Sequence, residues 1–143
     1  MRLTQDEIDL LRASFRLLAQ APAQAAALFY GRLFELAPAA RGMFPADMEA
    51  QGLKMMSTLG LVVSQLHDLE AMAPVVAALA RRHVGYGVKA EHYALLAEPL
   101  QYMLRQSLGE RCTKEVAAAW AKALAGLSAA MIAAAYPPAP AAA

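Results

Sequence analysis

Apolar residues recur along most of this chain at three- and four-residue spacing, a rhythm that predicts helices. Ile8, Leu11, Phe15 and Leu18 mark a first helix ending near Ala19, and Thr4 followed three residues later by Glu7 is a capping box at its start. Pro22 begins a second helix at a position where its missing N–H costs nothing. Ala26, Phe29, Tyr30, Leu33 and Phe34 form its inward stripe, and Pro38 ends it before a short turn up to Gly42. Met43-Phe44-Pro45-Ala46-Asp47 reads as an irregular corner, because the residue before a proline is pushed out of helical geometry. Phe44 in that corner must pack on something.

A third helix over about 49–66 puts Gln51, Met55, Thr58, Leu59, Val62 and Leu66 on one face with Lys54 on its flank, so one end of an apolar face is an amide. Further helices are predicted over about 74–84, 89–108 and 113–135, the last capped by Thr113. Pro99 falls inside the span 89–108, where it removes one backbone bond and collides with the Leu95 carbonyl, so a kink is expected. Two isoleucines, three threonines and no period-2 runs argue against strands, and no internal repeat is visible. The expected fold class is all-α, with residues 1–135 as one domain and 136–143 as a frayed Pro/Ala tail.

Composition narrows the class of function. A chain of 143 residues with 59% hydrophobic content can bury a sizeable core, while 17% charged residues and a net charge of +1 give no field that favours nucleic acid or an anionic membrane as partner. Arg81 and Arg82 read as a solvated helix edge. The single cysteine, Cys112, excludes an internal disulfide framework and a zinc cluster, and at the start of the last helix it is expected to be an inert thiol. The N-terminus lacks the apolar core of a secretion signal, so a cytoplasmic location is expected. The stretch 116–135 is apolar but contains Lys122 and owes its score mostly to alanine, so it is expected to be a buried helix of a soluble protein rather than a membrane span.

Candidate chemistry gathers over residues 80–93. His83 lies in the last turn of the helix predicted over 74–84, and Gly85 and Gly87 tolerate the left-handed angles that end helices. A neutral imidazole there can offer one ring nitrogen to a metal while the other donates to a carbonyl of the preceding turn. Taken alone, a histidine beside an apolar helix face is more often structural than a ligand. His67 and His92 are expected to be exposed histidines outside any site, and the eight methionines, Met55 apart, core filler.

The other residues change that balance. Phe-Tyr-Gly-Arg-Leu-Phe at 29–34, Phe44 in its corner, Gln51 with Met55 one turn later, and His83 with Gly87-Val88 and Tyr93 together resemble bacterial single-domain globins, and more narrowly the haem domain of flavohaemoglobins, over residues 3 to about 132. The resemblance implies a three-on-three helical sandwich around haem b, with His83 as the axial ligand of a five-coordinate or weakly six-coordinate iron. It also implies that Tyr30 and Gln51 form the distal polar pair and that Phe44 stacks on the porphyrin. Met55 would wall the ring from above, Lys54 would meet a propionate, and Leu79, Val88 and Tyr93 would line the proximal side.

Such a protein is expected to bind oxygen, carbon monoxide and nitric oxide, with oxygen supply or storage as its role, as a monomer or homodimer. The alternative is conversion of nitric oxide to nitrate with a separate reductase, because no residues remain here for a flavin or nicotinamide domain. The chain also departs from the pattern, in an unusual Pro99 and in its last helix. Flavohaemoglobins place a glutamate in the last helix that bonds the tyrosine matching Tyr93, whereas nothing after Trp120 here is acidic. The strong electron push on iron that this glutamate provides is therefore not expected.

Overall fold

Thr4 starts the first helix as its spacing from Glu7 requires: its hydroxyl accepts the Glu7 N–H at 3.1 Å, and the Glu7 carboxylate accepts the Thr4 N–H at 2.8 Å. The structure, a computed structural model, describes residues 2–68 and 71–136. Helix α1 spans Gln5–Leu18, and α2, with Pro22 in its first turn, spans Pro22–Leu36. A 3-10 segment, Pro38–Met43, and the Phe44 corner lead to α3, Met48–Ser64, whose cap is Asp47 accepting from the Ala50 N–H at 3.0 Å. After α4, Ala73–Gly85, come a 3-10 segment, Ala90–Leu96, and α5, Ala97–Leu108. A single turn, Gly109–Arg111, and the Thr113 cap then open α6, Lys114–Ala135. No strand occurs among the described residues.

Helix α2 packs on α3 and α5, α1 on α6, α3 and α5, α5 also on α6, and α4 on α6. The main core runs through Leu11, Leu18, Met103 and Leu104, all essentially inaccessible. Within it Trp120 donates its indole N–H to Ser14 at 2.8 Å, and Ser14 donates to the Leu10 carbonyl at 2.7 Å, so the polar atoms of that contact are satisfied. A second, smaller core of Leu79, Ala80, Tyr93 and Met131 joins α4 to the far end of α6.

Three expectations are corrected. The helix expected over 89–108 is split, and Pro99 is the third residue of α5 rather than an interior one. The first N–H groups of a helix have no intrahelical acceptor, so Pro99 loses no bond; the proline is accommodated by the change from 3-10 to α backbone ahead of it. Gly85 ends α4 in helical geometry, and of the two glycines only Gly87 takes a positive φ, 86°. Helix α6 is long and apolar enough to cross a membrane by length and composition, yet it is not a buried helix. Val116, Ala119, Trp120 and Met131 are buried, while Ala118, Ala121, Ala125, Ala129 and Ala133 face outward. Alanine raises hydropathy without demanding burial, which is why composition misled here. Of the expected tail, 137–143 lie outside the described residues; Tyr136 caps α6 with its N–H on the Ile132 carbonyl.

Candidate functional site

Helix α4 packs chiefly on α6, and a cleft of about 280 Å³ is lined by residues of α2 and α3, of α4 and the 3-10 segment after it, and of α5 and α6. His83, Leu79, Val88 and Tyr93 line it from α4 and the chain that follows. Tyr30, Gln51 and Met55 line it from α2 and α3, with Phe44 and Lys54 on the same cleft. The inward faces of the two helices explain the convergence. On α2, Ala26, Phe29, Tyr30 and Leu33 are buried, and the stripe Gln51, Met55, Thr58, Leu59, Val62 and Leu66 on α3 runs along the cleft.

His83 is held by a hydrogen bond from its Nδ1 to the Leu79 carbonyl one turn earlier, at 2.7 Å. A carbonyl only accepts, so Nδ1 carries the proton and the neutral ring leaves Nε2 with its lone pair free. The rings of Tyr93 and Tyr86 lie 6.3 and 5.9 Å from the imidazole, centroid to centroid. Burial raises the Tyr93 phenol above its ordinary value, and the neighbouring Tyr136 adds to the rise.

On the other side Tyr30 is 7% exposed and sits in an aromatic cluster: Phe29 meets it edge-on at 5.1 Å, Phe44 edge-on at 5.2 Å, and Phe34 stacks at 6.0 Å. Phe44 thus finds the packing its corner position demanded. Gln51 Nε2 donates to the Tyr30 hydroxyl at 3.4 Å. With Gln51 donating, the phenolic O–H has no acceptor among the described residues. Burial raises the Tyr30 pKa and the Gln51 bond pulls it partly back, so the group is a neutral donor at neutral pH.

Sequence reasoning missed some of the lining. Arg82 is exposed but lies on the cleft beside His83, a cation at the opening together with the exposed Lys54. His92, expected to stand apart, is half-buried on the same cleft; its Nδ1 accepts the Lys89 N–H at 2.9 Å, as a cap of the 3-10 segment. The turn it caps is a tertiary feature with no periodicity to announce it. His67 is exposed and pairs with Arg12 at 3.1 Å, away from the cleft, and Cys112 is a half-buried free thiol.

A profile of the globin family matches residues 27–131. This chain belongs to the globin family. Similar proteins include a flavohemoprotein of Bordetella parapertussis, 34% identical over 98 residues, which cover 66% of this chain and 24% of that protein. One from Rhizobium meliloti is 28% identical over 129 residues, 88% of this chain and 32% of its own. Neuroglobin-1 of Oncorhynchus mykiss is 28% identical over 133 residues, 83% of this chain and 84% of its own. The chain therefore spans about a quarter to a third of the flavohemoproteins it matches.

The site fits the haem that membership of this globin family implies. Among the described residues no group of three or more His, Cys, Asp or Glu side chains is placed to hold a metal ion. One imidazole nitrogen is free to coordinate a metal, the walls are apolar, and the exposed cations Lys54 and Arg82 on the same cleft would suit the carboxylates of a porphyrin.

Proposed function

We propose that this globin holds haem b through His83 Nε2 and reversibly binds oxygen, with carbon monoxide and nitric oxide as competing ligands, under Tyr30 and Gln51. The observation that carries this reading is that one cleft is lined by an imidazole with a free nitrogen and by a buried phenol whose oxygen accepts from Gln51. When bound, haem supplies a ferrous iron that shares electron density with a diatomic ligand. The chain's part is to hold His83 in one tautomer through Leu79, and to present the Tyr30 O–H where that ligand gathers negative charge. Gln51 and the rings around Tyr30 fix the phenol, and Leu59, Val62 and Met55 keep the surroundings dry. Lys54 and Arg82 are the propionate partners.

The test is the absorption spectrum of the haem-reconstituted protein in ferric, reduced, carbonmonoxy and oxygenated forms. A Soret band that shifts with carbon monoxide and collapses in His83→Ala supports the reading. A reconstituted protein without a Soret band, or a His83→Ala spectrum identical to wild type, overturns it.

A second reading, conversion of nitric oxide and dioxygen with one electron from a separate reductase into nitrate, is supported by the similarity to flavohemoproteins, whose name pairs flavin with haem. Rapid mixing of the oxygenated protein with nitric oxide, with and without a reductase, separates the two. Sustained nitrate production with the reductase favours the enzyme, and a single turnover favours the binding protein.

A further inference from the structure

Arg41 is a cation that the cleft does not use. It lies in the 3-10 segment Pro38–Met43, is exposed, and does not line the cleft as Lys54 and Arg82 do. Its guanidinium turns back on its own chain: Nη1 donates to the Phe44 carbonyl at 3.3 Å and to the Pro45 carbonyl at 3.1 Å, and Nη2 donates to the Ala46 carbonyl at 3.5 Å. Among the described residues no carboxylate pairs with Arg41, and no backbone N–H reaches the Phe44 or Pro45 carbonyl. Pro45 has no N–H and pushes Phe44 into extended geometry, so helical bonds cannot hold this corner. A guanidinium is always charged and presents its N–H groups in a fixed plane, which suits several carbonyls turned the same way. The same group lies over the Phe34 ring, 5.7 Å from its centroid. Phe34 meets Phe44 at 5.5 Å, and both rings contact Tyr30.

We propose that Arg41 is a positioning residue for Phe44 and, through it, for Tyr30: its guanidinium grips the backbone of residues 44–46 and fixes where the Phe44 ring stands at the cleft. Phe44 lines the cleft itself, whereas Arg41 acts from outside it, so deleting the guanidinium frees the corner and leaves the main core in place. Phe44 is one of three rings around Tyr30, and a corner that samples several shapes leaves the phenol several directions. Arg41→Ala removes the grip. Arg41→Lys keeps the charge and the alkyl stem but loses the planar fork, so it recovers only part of the effect.

The experiment has two arms, of which only the second rests on the haem reading above. In the apoprotein, NMR follows amide exchange at Phe44 and Met48, whose acceptors are the Arg41 and Ala46 carbonyls, and Overhauser effects between the Phe44 and Tyr30 rings. Several-fold faster exchange with weakened ring contacts in Arg41→Ala, α5 amides unchanged, supports the grip whether or not haem binds. Unchanged exchange or unchanged ring contacts overturn it. In the haem-loaded ferrous protein, infrared spectroscopy reads the stretch of bound carbon monoxide, which senses the Tyr30 O–H, and stopped flow reads oxygen dissociation. A broadened or split band with dissociation several-fold faster in Arg41→Ala, and no further gain when that change is added to Tyr30→Phe, supports positioning through the phenol. An unchanged band and rate, or equal acceleration with and without the phenol, overturn it. An Arg41→Lys protein that matches wild type throughout also overturns it, because charge alone would then suffice. A wild-type chain that takes up no haem sinks the haem reading alone, and the first arm then decides the grip.

Discussion

Gly52 of α3 and Ala26 of α2 meet where the two helices cross, and a Cβ on residue 52 would lie 2.7 Å from the Ala26 Cβ. Both atoms are rigid extensions of backbone, so the contact can be relieved only by moving a helix. Gly52 adjoins Gln51, and Ala26 is one turn before Tyr30, so the crossing also sets the distance between that pair. Gly52→Ala is expected to destabilise the fold by about 1–3 kcal/mol through overpacking, more than the roughly 1 kcal/mol that alanine gains in helix propensity. Urea unfolding measures it. Adding Ala26→Gly should restore part of the loss, and no recovery in the double variant would place the cost elsewhere.

Ser14 and Trp120 make the buried polar contact between α1 and α6, each 4% exposed. Ser14→Ala leaves the indole N–H without an acceptor, a cost of about 1–3 kcal/mol. Trp120 is the single tryptophan, so its fluorescence reports both the local change and the unfolding midpoint. Combined with Trp120→Phe the two losses should be markedly less than additive, since either change alone removes the bond. A Ser14→Ala protein as stable as wild type would show that water reaches the indole.

How much of this was legible beforehand follows from what each feature depends on. The Thr4 and Thr113 caps, the Pro22 start and the inward stripes of α2 and α3 are local rules, and the structure obeys them. The residues from Tyr30 to Tyr93 that the family resemblance picked out line one cleft, Tyr30, Gln51 and Met55 because those stripes face it. What escaped depends on tertiary placement. Pro99 was misjudged because a 3-10 segment and an α-helix share the same apolar spacing over seven residues, 90–96, leaving the start of α5 invisible. Arg82 and Gly52 carry no signal of their own; one is a cation next to a ligand candidate and the other a glycine whose neighbour lies on another helix.

The Tyr30 phenol predicts a pH dependence whose sign is fixed by its burial. The raised pKa means the folded state holds the proton more tightly than the unfolded chain does. Its contribution to stability is fully present below the unfolded value of about 10 and is lost as pH rises through the higher folded value. The unfolding free energy of the wild-type apoprotein should therefore fall above about pH 10, and Tyr30→Phe should flatten that fall without abolishing it. Tyr93, raised by burial first and by Tyr136 second, contributes to what is left. Urea titrations at neutral and alkaline pH check this, and an equal alkaline loss in both proteins would mean that Tyr30 is hydrated in the folded state.

The same phenol gives the sharpest functional prediction under the haem reading. Hydrogen bonds to a charged partner contribute about 1.5–3 kcal/mol, so Tyr30→Phe should speed oxygen dissociation by roughly ten- to a hundred-fold. Gln51 gives one of its two N–H donors to Tyr30 across a long 3.4 Å contact, so its main work is to hold the phenol in one direction rather than to replace it. Gln51→Ala is accordingly expected to speed dissociation less than Tyr30→Phe does. The double variant should sit close to Tyr30→Phe alone, because the amide has nothing left to orient. Stopped-flow dissociation on the three variants measures all of this at once. An unchanged rate in Tyr30→Phe counts directly against the phenol as donor, and fully additive effects would show that Gln51 reaches the ligand on its own account.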